Sequence, residues 1–423
     1  VTPLEYLFGL ELHGIKLGLG NITHLLRLAG DPQREFPTVH VAGTNGKGSV
    51  VAVLDAIFRA AGYRTGRFTS PHLLDVRERF LADGKPIPPD KLDRQIIFFQ
   101  SLAKTMGHSP TFFELNTAIA FRWFAERSVD VGIIEVGMGG RFDSTNVIAP
   151  LAAAITTIAL EHTKYLGDTL EKIAFEKAGI IKQGVPVICG SIDDGPMNVI
   201  ARRAKEVSAP LLRVGRDFAF SLGGGPFAQR FSYRGARLSL ESVPLALHGR
   251  HQGSNAAVAV ALAGSLRDQF PKLTQEAVIA GLCTARWPCR LEVVMEWPRV
   301  IIDVAHNPAG VKALAESVAA QCVIVLALAN DKDAGAILEE LRPIVRRLVV
   351  TEFSGSGRAM PVEALARAAA GLPVETARTI PDAIERALSI AGADPVLIAG
   401  SFFTAAEARR WLMERHGARP PEF

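Results

Sequence analysis

The chain has 423 residues, 48% hydrophobic and 21% charged, with a formal charge of +4. This composition excludes an intrinsically disordered chain, and 38 glycines and 25 prolines without a period exclude collagen-like and low-complexity classes. At roughly 150 residues per domain the length points to two or three domains, with material for more than one core.

The basic residues are dispersed, without a run of about five like charges, so the small positive balance implies no nucleic-acid partner. Cys189, Cys283, Cys289 and Cys322 form no CxxC pair and no disulfide framework, which fits a reducing compartment. Apolar stretches such as 150–155 and 322–329 fall far short of the ~18 residues of a membrane span, and the first residues carry no basic-then-apolar leader. The expectation is a cytoplasmic protein with no membrane partner.

From Pro37 onward, β-branched runs alternate with alanine-rich helical stretches, the pattern of parallel strands joined by crossover helices. Strands are expected at 38–42, 131–136, 152–158 and 186–189. Helices are expected after Gly48, at Glu114, after Asp168 and near Gln252, with Gly62 and Gly179 marking stops. Asp168-Thr-Leu-Glu171 reads as an acidic cap with Glu three residues on, which sets Lys177 near that helix's C-terminal end. Between 213 and 247 short alternating segments around Gly223–Gly225 imply a small antiparallel excursion. A helical stretch, 274–285, then meets Trp287-Pro288-Cys289-Arg290, where proline cannot continue it. The domain boundary is placed there, giving 1–286 and 287–423. Beyond Leu291, strands at 300–304, 323–327, 348–353 and 396–399 and helices from Pro308, Ala334, Pro361, Pro381 and Thr404 make a second α/β domain. There is no internal repeat.

The strongest chemical signal is Val41-Ala-Gly-Thr-Asn-Gly-Lys-Gly-Ser49, between a strand and an apolar helix. Glycines let backbone N–H groups close round phosphate oxygens, and a helix N-terminus adds partial positive charge. Lys47 reaches the outer phosphates, and Ser49 offers a hydroxyl to magnesium. The spacing departs from GxxxxGK[ST], because Gly48 intervenes before Ser49. The bland alternative is a flexible glycine turn. Glu135 follows an apolar strand, so its carboxylate emerges where open α/β sheets collect ligands; otherwise it is a surface charge. A dinucleotide reading of Gly137-Met-Gly-Gly140 fails on glycine spacing. His162 alone reads as a metal ligand or as a satisfied polar residue at a core edge. By default Lys177 is a solvated charge, Asn255 a helix cap, Arg290 an exposed linker charge, and Asp303 and His306 turn formers before Pro308. Phe112 and Phe113 either stack on a flat heterocycle or belong to the core.

Gly43-Thr-Asn-Gly-Lys-Gly-Ser49 resembles the phosphate loop of the Mur-ligase superfamily, in particular of the folylpolyglutamate synthase and dihydrofolate synthase family. In the same order follow Thr69-Ser-Pro-His-Leu73 with Glu78-Arg79, Phe112-Phe-Glu114 and Glu135-Val-Gly-Met-Gly-Gly-Arg-Phe-Asp-Ser-Thr-Asn146. After them come His162-Thr163, Glu176-Lys-Ala-Gly-Ile180, His251-Gln-Gly-Ser-Asn255, Arg290-Leu-Glu292 and Asp303-Val-Ala-His-Asn-Pro308. The resemblance covers about residues 37 to 308. Val304 and Cys289 depart from the glycines usual at those points, and the charged residues are intact.

The resemblance implies an α/β fold with an N-terminal P-loop ATPase-like domain, its sheet mostly parallel plus the antiparallel excursion, and a C-terminal Rossmann-like domain. It implies ATP and Mg2+ as cofactors, and dihydropteroate, folates and L-glutamate as substrates of a monomer. The activity implied is an ADP-forming amide ligase working through an acyl phosphate; the alternatives are a monofunctional folylpolyglutamate synthase, another Mur-type ligase, or a nucleotide-binding module without catalysis. Catalytic roles pass to Lys47, Glu135, His162 and Lys177. ATP falls to Gly46, Lys47, Gly48, Ser49, Asn255, Arg290, Asp303 and His306, with Asp303 reaching it from the second domain. Metal falls to Ser49, Ser70, Glu135, His162 and Lys177, the lysine as a carbamate. The pterin falls to Ile22, Thr23, His24, Thr111, Phe112, Phe113, Glu114, Phe142, Asp143 and Ser144.

Overall fold

A computed structural model describes the chain apart from Ile15, Leu17 and Ser356 and the side chains of Leu12 and His13. Among the described residues the strands are β1 (Thr38–Ala42), β2 (Thr65–Phe68), β3 (Phe80–Ala82), β4 (Lys85–Pro86), β5 (Val131–Glu135), β6 (Ala152–Ile155), β7 (Val187–Cys189) and β8 (Leu211–Arg213), followed by β9 (Phe218–Gly223), β10 (Arg230–Gly235) and β11 (Ser239–Pro244). The later strands are β12 (Glu292–Glu296), β13 (Arg299–Ile302), β14 (Cys322–Leu326), β15 (Val345–Val350), β16 (Val374–Thr376) and β17 (Val396–Ala399). They form an eight-stranded sheet in the order β4-β3-β2-β5-β1-β6-β7-β8, a three-stranded sheet β11-β10-β9 and a six-stranded sheet β12-β13-β17-β14-β15-β16.

The first sheet is parallel from β2 to β8, with β3 and β4 antiparallel at one edge. The three-stranded sheet is antiparallel throughout, and the third is parallel except for β12. Strand β1 is buried along its whole length because it lies centrally, with helices on both faces, so Val39, Val41 and Ala42 enter the core. One face of the first sheet packs an aromatic-rich cluster including Phe68, Phe80, Phe99, Phe121 and Phe124. Farther along the same face, over β6 and β7, a second cluster packs Ala153, Ile155, Ala174, Ile180 and Ile200. The third sheet has its own core, around Ile301, Ile324, Leu348 and Leu397.

By its internal contacts the chain divides into two compact units. One comprises Val1–Gly223, Arg230–Ala246 and Gly253–Arg286; the other comprises Gly224–Gln229, Leu247–Gln252 and Trp287–Phe423. Two short stretches before Arg286 thus cluster with the later unit. Several local details differ from the sequence expectation. The strands expected to reach Val136 and Ile158 end at Glu135 and Ile155, where the chain turns into loops. The helix after Asp168 is capped by Thr169, whose hydroxyl accepts from the Lys172 N–H, rather than by the acidic residue. Asn255 does not cap its own helix, which already starts at His251; it lies within the first turns and is buried.

Candidate functional site

Three neighbouring strands of the first sheet bring the site together. β1 runs into residues 43–49, its neighbour β5 ends at Glu135, and its other neighbour β6 leads through 156–161 to His162. Ligands of open α/β sheets gather at these carboxyl ends.

The loop after β1 is held rigidly. Thr44 N–H donates to the Thr157 carbonyl at 2.8 Å, and Asn45 N–H to the Thr157 hydroxyl at 3.0 Å. The Thr156 hydroxyl donates to the Asn45 carbonyl at 2.6 Å, and the Thr44 hydroxyl accepts from Ala159 N–H at 3.0 Å. Gly43 has φ +148, and a Cβ there would lie 1.9 Å from the Thr156 hydroxyl oxygen, so no other residue fits. Gly46 sits at the N-cap of the helix Lys47–Ala60 with φ 90, and no side chain caps that helix. Its first N–H groups are therefore left for an anion, and the dipole favours one.

Beneath this loop, two ammonium groups converge on one carbonyl. Lys47 Nζ donates to the oxygens of Gly43 at 3.0 Å and Thr44 at 3.1 Å, and Lys177 Nζ donates to the same Gly43 oxygen at 2.9 Å. Lys177 is 4% exposed, which overturns its default reading as a solvated charge: it faces the sheet from the helix Leu170–Ala178. Burial first, then the Lys47 charge, bring its amine down to about 7. Near neutral pH part of it is the free, nucleophilic amine.

Glu135 is buried, and its Oε2 accepts the Ser70 N–H at 3.1 Å, so the carboxylate and the Ser70 residue are neighbours. Ser49 is buried in the first turn of the helix Lys47–Ala60. His162 is exposed, in left-handed conformation at φ 51, directly before the helix Thr163–Leu166. Among the described residues no three His, Cys, Asp or Glu side chains cluster as a metal cage. That donor set suits magnesium, which keeps several waters and is bound through one or two carboxylates plus substrate phosphates.

The candidate acceptor residues divide by role. Thr111 and Glu114 form a capping box: Thr111 N–H donates to Glu114 Oε2 at 2.7 Å and Glu114 N–H to the Thr111 hydroxyl at 3.2 Å. Phe113 packs 5.9 Å from Phe68, whereas Phe112 stacks on Phe8 at 5.8 Å with Arg79 over its ring at 5.2 Å. Arg79 Nε also donates to His72 Nδ1 at 2.9 Å. Burial first, then the Arg79 charge, lower His72 to about 4, so it accepts as a neutral imidazole. Phe142 is exposed and carries the Arg141 guanidinium 4.3 Å from its ring centre, while Asp143 and Ser144 are buried. Ile22 is fully buried in the core, Thr23 is exposed and His24 half-buried. Phe8, Thr156 and Thr157 carried no motif signal, because an isolated aromatic or threonine reads as core or strand.

In the later unit, Arg290 is half-buried rather than exposed, with its guanidinium 5.1 Å from the Phe402 ring centre. Asp303 is buried and takes the Leu291 N–H at 2.8 Å and the Ala305 N–H at 2.7 Å. His306 lies 6.0 Å from Phe402, ring centre to ring centre. Asn307, not Asp303 or His306, caps the helix Pro308–Val318. Asn255 belongs with the first unit, its Oδ1 2.3 Å from where a Gly46 Cβ would stand.

Residues 41–263 match the family description "Mur ligase middle domain", and residues 289–402 match "Mur ligase, glutamate ligase domain". The chain is 39% identical to the dihydrofolate synthase/folylpolyglutamate synthase of Mycobacterium tuberculosis, over 92% of this chain and 89% of that protein. It is 36% identical to the Bacillus subtilis protein of the same description, over 82% of this chain and 84% of that one. Its fold is similar to M. tuberculosis folylpolyglutamate synthase complexed with ADP, at a TM-score of 0.91 and 36% identity over 99% of this chain and 100% of that one. It is also similar to Escherichia coli FolC in complex with DHPP and ADP, at 0.89 and 32% identity over 98% of this chain and 99% of that one.

Proposed function

The chain belongs to the Mur ligase family, among the dihydrofolate synthases/folylpolyglutamate synthases, and from that premise we propose that it joins L-glutamate to dihydropteroate and then to folates, with ATP hydrolysed to ADP. The observation that carries the reading is the pair of ammonium groups, Lys47 and Lys177, drawn to the Gly43 carbonyl under an uncapped helix N-terminus.

A carboxylate acylates poorly, because its leaving group would be an oxide. In the proposed reaction a carboxylate oxygen of the acceptor attacks the γ-phosphorus of ATP and ADP leaves, giving an acyl phosphate. The free amine of glutamate then attacks the acyl carbon, inorganic phosphate departs with the bonding electrons, and the nitrogen releases one proton to solvent as the amide forms. Lys47 swings from its carbonyl partners to the phosphates, where its charge and the helix N-terminus stabilise the transferring phosphoryl group. Magnesium, when bound, supplies further charge neutralisation; Ser49, Ser70, Glu135 and His162 would hold it, with Lys177 as its carbamate. The amine near 7 supports that modification, since a free amine adds carbon dioxide and loses a proton. No side-chain nucleophile takes part.

Asn255, Arg290, Asp303 and His306 are assigned to the nucleotide, along with Gly46 and Gly48. The acceptor heterocycle is assigned to Phe112, Phe113, Phe142, Asp143 and Ser144, with the N–H groups of the ring donating to the Asp143 carboxylate. Ile22, Thr23 and His24 belong to the acceptor proposal as the segment beside it, and Thr111 and Glu114 serve it by fixing the turn that presents Phe112 and Phe113. The ligase is proposed to act as a cytoplasmic monomer; no helix among the described residues is long and apolar enough to cross a membrane.

Phosphate release from ATP with magnesium and L-glutamate tests the reading, comparing 7,8-dihydropteroate with tetrahydrofolate as acceptor. Release with both is expected. Release with tetrahydrofolate alone would reduce the enzyme to the monofunctional synthase, and silence with both would end the folate assignment.

A further inference from the structure

His40 lies in the middle of β1, between Val39 and Val41, opposite Ile134 of β5 and Ala153 of β6. It is fully buried in a strand otherwise apolar at these positions. Its Nε2 lies 2.8 Å from the Thr145 hydroxyl, and that hydroxyl lies 2.5 Å from Asp143 Oδ1. Thr145 has one hydroxyl proton, and the carboxylate takes it, so His40 Nε2 has to be the donor to Thr145. The direction is fixed: imidazole N–H to hydroxyl, hydroxyl to carboxylate. Oδ1 also accepts the Thr145 N–H at 3.0 Å, and Oδ2 accepts the Met138 N–H at 2.8 Å.

The other end of His40 shows what this arrangement costs. With Nε2 protonated, Nδ1 is an acceptor, and it is buried with no hydrogen-bond partner among the described residues. Valine or isoleucine would suit the strand better, since an orphaned buried acceptor is destabilising. Burial, with a smaller contribution from the Lys182 charge, holds the imidazole far below its ordinary range, at about 3, so it stays neutral and its Nε2 proton stays in place.

We propose that His40 and Thr145 are positioning residues for acceptor recognition, a buried hydrogen-bond chain from the phosphate-loop strand that fixes the Asp143 carboxylate in the orientation that takes the heterocycle. This rests on the assignment of Asp143 to the acceptor. The strand that carries the phosphate loop at its end thereby also sets the acceptor site through one of its interior side chains.

Steady-state kinetics with tetrahydrofolate and 7,8-dihydropteroate test it. His40→Leu and Thr145→Val are expected to raise the acceptor KM about ten-fold, the scale of one hydrogen bond to a charged group, with the ATP KM unchanged. His40→Gln and Thr145→Ser, which keep the donor and the hydroxyl, recover the acceptor KM. In an Asp143→Asn background, itself raised in acceptor KM, His40→Leu adds nothing further. An unchanged acceptor KM in folded Thr145→Val, beside a raised one in Asp143→Asn, overturns the positioning role alone. An unchanged acceptor KM in Asp143→Asn removes the acceptor assignment and the positioning role with it. Independently of any variant's folding, nitrogen NMR of the wild-type protein is expected to show His40 protonated on Nε2, and protonation on Nδ1 overturns the chain.

Discussion

Two strand-to-helix junctions, one in each unit, are built from the same α/β device and finished in opposite ways. After β1 the helix Lys47–Ala60 starts at Gly46 with no side-chain cap. After β13 the helix Pro308–Val318 starts at Asn307, whose Oδ1 accepts the Gly310 N–H at 2.8 Å, and Pro308 removes one of the remaining donors. Just before that helix the Asp303 carboxylate takes two more backbone N–H groups. The second junction satisfies itself, and the first leaves its donors open and gathers two lysines beneath them. An open helix N-terminus is a binding feature; a capped one is a structural feature.

Substitutions can break or sharpen that contrast. Lys47→Ala has the largest expected effect, a fall in kcat of about 10²–10³ with an unchanged circular-dichroism spectrum, because the side chain serves charge at the transition state and fills no core. A melted spectrum would make Lys47 a structural residue and erase the difference between the junctions. Lys177→Met is expected to lose turnover too, and to change the pH dependence of stability. The folded amine sits at about 7 against an ordinary 10.5, so the unfolded chain binds the extra proton between those values and unmodified wild-type stability rises with pH across that window. Denaturant unfolding at a series of pH values should show that rise, flattened in the variant.

Gly46→Ala closes the open junction from within: its Cβ would stand 2.3 Å from Asn255 Oδ1 at φ +90. A cost of about 1–3 kcal/mol and weakened ATP binding by calorimetry are expected. Asp303→Ala orphans two N–H groups and should cost about 2 kcal/mol in thermal unfolding, raising the KM for ATP more than that for the acceptor. Equal effects on both would remove Asp303 from the nucleotide. Asn307→Ala, the smallest, should cost about 1 kcal/mol and leave the ATP KM alone; a raised KM would show that the Asn307 cap serves the nucleotide together with Asp303.

The parts of the fold that were legible from sequence are local ones. Apolar β-branched runs located β1, β5, β6, β13, β14 and β17 to within a few residues, because a strand buried on both faces has to be apolar along its length. The break at Trp287-Pro288 was equally legible, since proline cannot continue a helix past its first turn. The phosphate loop could be read because its whole chemistry lies in seven adjacent residues, Gly43 to Ser49. Thr169 was misread as a bystander to Asp168 because both residue types cap helices, and which of them does so depends on where the first turn closes.

The rest depended on contacts between distant parts of the chain. Lys177 reads as an ordinary helix charge, and it became a buried amine because the helix Leu170–Ala178 packs it against Gly43, 134 positions away. His40 reads as one more strand residue, and only the return of the chain at Thr145, 105 positions on, gives its Nε2 a partner. By itself, the sequence determined where strands, helices and the anion-binding turn lie, since backbone preference and hydrophobic period act over neighbouring residues. The tertiary structure decided which charges lose their water and which polar atoms meet, because solvation and hydrogen bonding depend on whatever packs over a group, however far away in the chain it lies.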